Sequence, residues 1–136
     1  MTEPLLRVRN LTLAFKHGER ENIVADHVSF DINKGETLAL VGESGSGKSM
    51  TALSILRLLP PAAQWRKDSQ ILFGGRNLID LPESELRKIR GRDISMVFQE
   101  PMTSLNPLHT IERQIGEVLQ LHTGKRGPAA RTRIIE

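Results

Sequence analysis

The residues best equipped for chemistry in this chain sit in one short run, "GESGSGKS", from Gly42 to Ser49. Gly42, Gly47, Lys48 and Ser49 satisfy the spacing G-x-x-x-x-G-K-[ST], and each residue type in it has a physical task. Glycines at 42, 45 and 47 let backbone N–H groups turn inward around phosphate oxygens with no Cβ in the way. A helix starting near Lys48 points the positive end of its dipole at the same place. Lys48 brings a mobile point charge to the terminal phosphates, and the Ser49 hydroxyl is placed to complete the coordination of a magnesium ion. Ser44 and Ser46 read as small loop formers counted with the same phosphate-binding set. The four fixed positions arise by chance in roughly one chain of this length in two hundred. The pattern therefore needs its context, a strand before it and a helix after it.

Both flanks supply that context. "TLALV", Thr37 to Val41, reads as a short, fully apolar strand, and Lys48 to Leu59 reads as a helix apolar around most of its circumference, ended by Pro60 and Pro61. Upstream, Leu11, Leu13 and Phe15 alternate with Thr12 and Ala14, and Val28, Phe30 and Ile32 alternate with Ser29 and Asp31. These are two strands with one buried face each, separated by the charged loop "KHGEREN" and followed by a turn at "NKGE". The chain thus opens as an antiparallel hairpin feeding a buried strand. Downstream come the polar stretch "QWRKDSQ", a strand at "ILF" and a turn at Gly74–Gly75. "PESELRKIRG" follows as a helix with Pro82 at its start, acids early, bases late and Gly91 past its end. "DISMVF" reads as another apolar strand. A helix capped by Asn106, with Pro107 behind it, then shows an apolar face at Leu108, Ile111, Ile115, Val118 and Leu119 and stops at Gly124. After "GKRGP" a further helical pattern runs to Glu136, where nothing closes it, so the chain reads as a piece of a longer protein.

The bulk properties exclude several alternatives. The 136 residues suffice for one domain, and 38% hydrophobic content suits a packed core. The net charge of +3 comes from 19 basic and 16 acidic residues that are interspersed, as on a solvated surface. With 4% aromatic residues and no basic run interleaved with aromatics, nucleic acid is not expected as a partner. The absence of cysteine removes disulfides, thiol nucleophiles and Cys-based zinc sites. No apolar run approaches the roughly 18 residues that would span a bilayer, so a membrane role would come through a partner.

A phosphate-binding loop does not choose between a kinase, a GTPase and a transport ATPase. Its flanks do. "LTLAF", the continuous "VSFDINKGETLALVGESGSGKS" and the later "MVFQEP" stand in the order and spacing of the ATP-binding subunits of ABC transporters, which the chain closely resembles. Within that family "FQEPMTSLNPLHTI" and "GESGSGKSMTALSILRLLP" are similar to the oligopeptide and dipeptide importer branch, and especially to microcin C-type peptide uptake ATPases. The resemblance implies ATP and Mg2+ as cofactors. It gives Phe15 the place of the aromatic that stacks on adenine, with strand core as the other reading of that ring, and it gives Gln99 the place of the Q-loop glutamine that contacts magnesium and the attacking water. Lys48 and Gln99 are thereby the residues expected to act in catalysis, and Ser49 and Gln99 those expected at the metal. Glu43 and Glu100 read as solvated, and His17, His27, His109 and His122 as structural or surface residues.

The fold implied is an α/β P-loop NTPase core with an N-terminal antiparallel β subdomain and the start of a helical subdomain. Residues 1–41 are expected to be β-rich, 42–99 to run from P-loop to Q-loop, and 100–136 to begin the helical part. Implied partners are transmembrane permease subunits and a second ATP-binding domain, with a solute-binding protein involved indirectly. The implied location is the cytoplasmic face of a bacterial inner membrane, held peripherally. These 136 residues contain no LSGGQ-type signature, Walker B aspartate, following glutamate or switch histidine, so the chain alone is expected to hydrolyse ATP negligibly. Two readings stay open: the first part of a peptide-importing ABC ATPase, and a truncated nucleotide-binding module without turnover. A small-molecule kinase is disfavoured by the hairpin before the loop and by Gln99 after it.

Overall fold

The computed structural model of the chain describes residues 3–100 and 104–136. The chain forms two compact units, Met1–Leu86 and Arg87–Glu136.

The first unit is built on a hairpin. Strand β1 (Leu6–His17) runs antiparallel to β2 (Arg20–Ile32), with Lys16 opposite Glu21 and Gly18 at φ 62° in the turn. The hairpin is longer than its alternation suggests, because the charged residues of "KHGEREN" are paired across the two strands and only the tip is loop. Register shifts between Val8 and Ala14 mark irregular pairing, and Asn10 and His27 take left-handed φ values of 49° and 48° there. On its other side β1 pairs at two separate places. Leu13 to Phe15 meet β3 (Ala63–Trp65), and Leu6 to Arg9 meet β4 (Gln70–Phe73), which in turn pairs with β5 (Arg76–Asn77) across the Gly74–Gly75 turn. Strand β3 overlaps the stretch that reads as polar connection at Gln64 and Trp65, and its three residues Ala63, Gln64 and Trp65 pair with Phe15, Ala14 and Leu13. The core of this unit is the inward face of the sheet with the segments packed on it, and Val8, Leu11, Leu13, Ile71, Leu78 and Leu86 are fully buried.

Helix α1 (Lys48–Ile55) is shorter than expected. Leu56 ends it, and Arg57 turns left-handed at φ 52° before the two prolines are reached. Its buried residues are Thr51 and Ser54, and Ser54 Oγ donates to the Thr51 carbonyl at 2.6 Å, which satisfies a hydroxyl placed in a core position. Helix α2 (Glu83–Ile89) has the expected acids first, bases last and Gly91 beyond at φ 79°.

Two expected strands are absent. Thr37 to Val41 form no strand, and Leu38, Leu40 and Val41 are exposed. "DISMVF" gives only an isolated bridge between Arg90 and Ile94, with Val97 and Phe98 exposed. The reason is pairing. A run apolar on both faces is a strand only where neighbours take up its backbone hydrogen bonds, and no strand among the described residues lies beside either run.

In the second unit α3 (Ile111–Thr123) packs on α4 (Gly127–Ile135). The N-cap of α3 is Thr110, whose hydroxyl accepts from the Arg113 N–H at 3.2 Å, rather than Asn106. Asn106 instead forms a turn of its own, its Oδ1 accepting from the Leu108 N–H at 2.9 Å, and Gln114 ties that turn back to the helix by bonds to the Asn106 backbone and the His109 carbonyl. Gly124 at φ 71° ends the helix as expected. The apolar face of α3 is not buried: Ile111, Ile115 and Val118 are exposed, as is Leu108 in the turn before the helix. Among the described residues no helix is long and apolar enough to cross a membrane.

Candidate phosphate-binding site

The loop between Gly42 and α1 is seated by glycine at the points where backbone meets backbone. Gly47, the N-cap of α1, is buried and left-handed at φ 87°, and a Cβ on it would lie 2.1 Å from the Val24 carbonyl oxygen of β2. The start of the helix is thus pressed against the hairpin with no side chain between them. Gly45 is also left-handed, at φ 82°, but a Cβ there would meet nothing within 4 Å. Gly42 is not left-handed, and a Cβ on it would lie 2.6 Å from Ser46 Oγ. The loop closes on itself through the Ser46 N–H, which donates to the Glu43 carbonyl at 3.2 Å, and the helix begins with Thr51 N–H donating to Gly47 at 2.8 Å.

Glycine as N-cap leaves no side chain to accept from the first amides of α1, and no acidic residue stands in its first turn. Those donors, together with the positive end of the helix, face the loop. Lys48 is half-buried and folds back over the same space, its Nζ donating to the carbonyls of Gly42 at 2.7 Å and Glu43 at 2.6 Å and to Ser46 Oγ at 3.1 Å. Ser44 and Ser49 are exposed at the rim. The residues present fit a phosphate chain: two glycines where a Cβ would clash, unshared helix-start amides and one lysine converge on a cradle only backbone walls could form.

Phe15 lies in the same unit, half-buried on β1 opposite Asn22 and Ala63, so it is not part of the closed core that Leu11, Leu13 and Ala14 make beside it. Gln99 belongs to the second unit, where it is exposed and lines a hollow of about 690 Å³ with Phe98, Glu100 and Ser104. Pro101, Met102 and Thr103, in the stretch most distinctive of the peptide importers, lie outside the described residues, as does the side chain of His17. His27 is exposed, with Nδ1 2.6 Å from Asp26 Oδ1, and His122 packs its Nε2 2.9 Å from where a Cβ on Gly91 would stand. No group of three His, Cys, Asp or Glu side chains among the described residues is placed to hold a metal ion. Sequence reasoning missed the approach of Gly47 to Val24 and the inward fold of Lys48. The first has a faint signal in the glycine itself, and the second has none.

The family model described as ABC transporter matches residues 25–135. The chain is 59% identical over 99% of its length to the peptidoglycan transport ATP-binding protein YejF of Agrobacterium fabrum, and 46% identical over 97% of its length to the oligopeptide transport ATP-binding protein OppD of Bacillus subtilis. It spans 25% of the first relative and 37% of the second. Among solved structures it superposes with a TM-score of 0.74 and 27% identity on the ATP-binding cassette MJ0796, a dimer in a post-hydrolysis state bound to ADP and Pi, covering 96% of this chain and 54% of that one. Its fold is accordingly the α/β fold of an ABC ATPase cassette, present in part. With a family match over residues 25–135, most of its length, the chain belongs to the ABC transporter family.

Proposed function

We propose that the chain carries the nucleotide-binding part of an ATPase that drives import of peptides or related small solutes. The observation that carries this reading is the cradle from Gly42 to Ser49, with Lys48 over it and α1 aimed into it. Gly42, Ser44, Gly45, Ser46, Gly47, Lys48 and Ser49 bind the phosphates through loop amides and the ammonium, and the half-exposed Phe15 ring offers a face to adenine. Ser49 and Gln99 would hold Mg2+, which when bound neutralises charge on the phosphate oxygens. The peptide assignment is supported by the names of relatives such as OppD. Action alongside permease subunits, pairing with a second ATP-binding domain as in the dimeric MJ0796 structure, and a peripheral place at the cytoplasmic face of the membrane belong to the same proposal.

The 136 residues include no carboxylate in the place of a general base, so this chain binds nucleotide without sustained turnover. Titration with a fluorescent ATP analogue and Mg2+ tests the reading. Wild type should bind, and Lys48→Ala should weaken binding at least about tenfold through loss of charge-assisted bonds to phosphate. Equal binding by the two proteins would place the nucleotide elsewhere. Lys48-dependent turnover by the purified chain would overturn the second half of the proposal.

A further inference from the structure

Every donor that Lys48 has for phosphate is already engaged. A lysine ammonium carries three N–H donors and no acceptor. Here three oxygens surround it: the carbonyls of Gly42 and Glu43 at 2.7 and 2.6 Å, and Ser46 Oγ at 3.1 Å. Two of these belong to the loop backbone and cannot leave without the loop changing shape. The third is a hydroxyl on a single rotatable bond. Ser46 is fixed from behind by its own N–H bond to the Glu43 carbonyl, and its Oγ occupies the space that a side chain at Gly42 would need, 2.6 Å from the position of that missing Cβ. Gly42 does not adopt the left-handed conformation that would by itself call for glycine. The Ser46 hydroxyl is what its missing side chain accommodates.

We propose that Ser46 is a positioning residue that latches Lys48 inward, so that nucleotide enters only molecules in which the latch has opened. The inference rests on the nucleotide reading above and adds to it a control on entry. When only a fraction of molecules is competent to bind, the apparent affinity falls by that fraction. Removing the hydroxyl enlarges the fraction and leaves two acceptors on the ammonium. In the bound state Lys48 faces phosphate, so the latch has no part in the departure of nucleotide. The effect therefore belongs to association and not to dissociation.

Stopped-flow binding of a fluorescent ATP analogue with Mg2+ separates the two rates. Ser46→Ala should raise the association rate constant about three- to tenfold, the scale of one charge-assisted hydrogen bond at a solvated site, with the dissociation rate constant unchanged. Ser46→Thr, which keeps the hydroxyl, should retain wild-type association. A general weakening of the loop would instead speed dissociation. An unchanged or slower association in Ser46→Ala, an effect confined to dissociation, or an equal gain in Ser46→Thr would each overturn the latch while leaving the nucleotide site standing. A folded wild-type chain that binds no nucleotide would overturn both.

Discussion

Gly47 shows how one Cα can be constrained twice. Its φ of 87° is unfavourable for any residue with a side chain, and the Val24 carbonyl stands 2.1 Å from where that side chain would begin. Gly45, at φ 82°, carries the first constraint without the second. The pair therefore separates backbone strain from steric exclusion. Gly45→Ala should cost about 1–2 kcal/mol, the price of the left-handed conformation alone. Gly47→Ala should cost more, about 3 kcal/mol or above, because the helix start must also move off β2. Chemical denaturation of the two variants and wild type measures the difference. Equal losses would mean that α1 is not seated against the hairpin at Gly47. The motif alone marks both glycines, but it ranks neither, because the ranking depends on Val24 in a strand earlier in the chain.

The hairpin is held at its far end by an ion cluster that alternation does not reveal. Arg9 Nη2 donates to Asp31 Oδ2 at 2.9 Å while its Nη1, which donates to the Val8 carbonyl at 2.9 Å, lies 2.8 Å from Oδ1 as an ion pair, and Arg7 stands opposite Asp31 in the strand register with Nε 3.4 Å from Oδ1. The Arg9 hydrogen bond, opposed by partial desolvation and aided by the charges of Arg9 and Arg7, holds the Asp31 carboxyl below its ordinary value. A carboxyl whose folded pKa is depressed favours the folded state above its unfolded pKa, and the contribution is lost as pH falls through the folded pKa. Stability of the hairpin unit should therefore decline below about pH 4, and Asp31→Asn should flatten that part of the profile while lowering stability at neutral pH. Denaturation midpoints between pH 3 and 6 test this, and an Asp31→Asn profile parallel to wild type would refute it. At this scale the elements that depend on local chemistry were readable: the hairpin, the Gly74–Gly75 turn, α2 with its charges in order, and the Gly124 stop. Boundaries set by tertiary choices were not. Asn106 and Thr110 are both good caps, and the Asx turn at Asn106 leaves the helix start to Thr110.

At the scale of the whole chain the two missing strands have one physical source. "TLALV" after Thr37 and "DISMVF" after Ser95 are apolar at successive positions, as strands buried inside a sheet are, yet among the described residues neither has a neighbouring strand. Val41 and Val97 are each 92% exposed, and Leu38, Leu40 and Phe98 are exposed beside them. The face of α3 adds Ile111 and Val118 in the same condition, and the turn before it adds Leu108. Apolar surface on this scale, with unpaired backbone next to it, favours contact with other molecules over contact with water. The 136-residue chain should therefore associate at micromolar concentration and bind an environment-sensitive hydrophobic dye, with sedimentation velocity showing species above 15.2 kDa that grow with concentration. Covering a valine contributes about 1.5–3 kcal/mol, so replacing both Val41 and Val97 by lysine removes a substantial part of the drive and adds repulsion. The double variant should sediment closer to a monomer at the same concentration. A wild-type chain that remains monomeric and dye-free across the range would show that these runs are covered in solution.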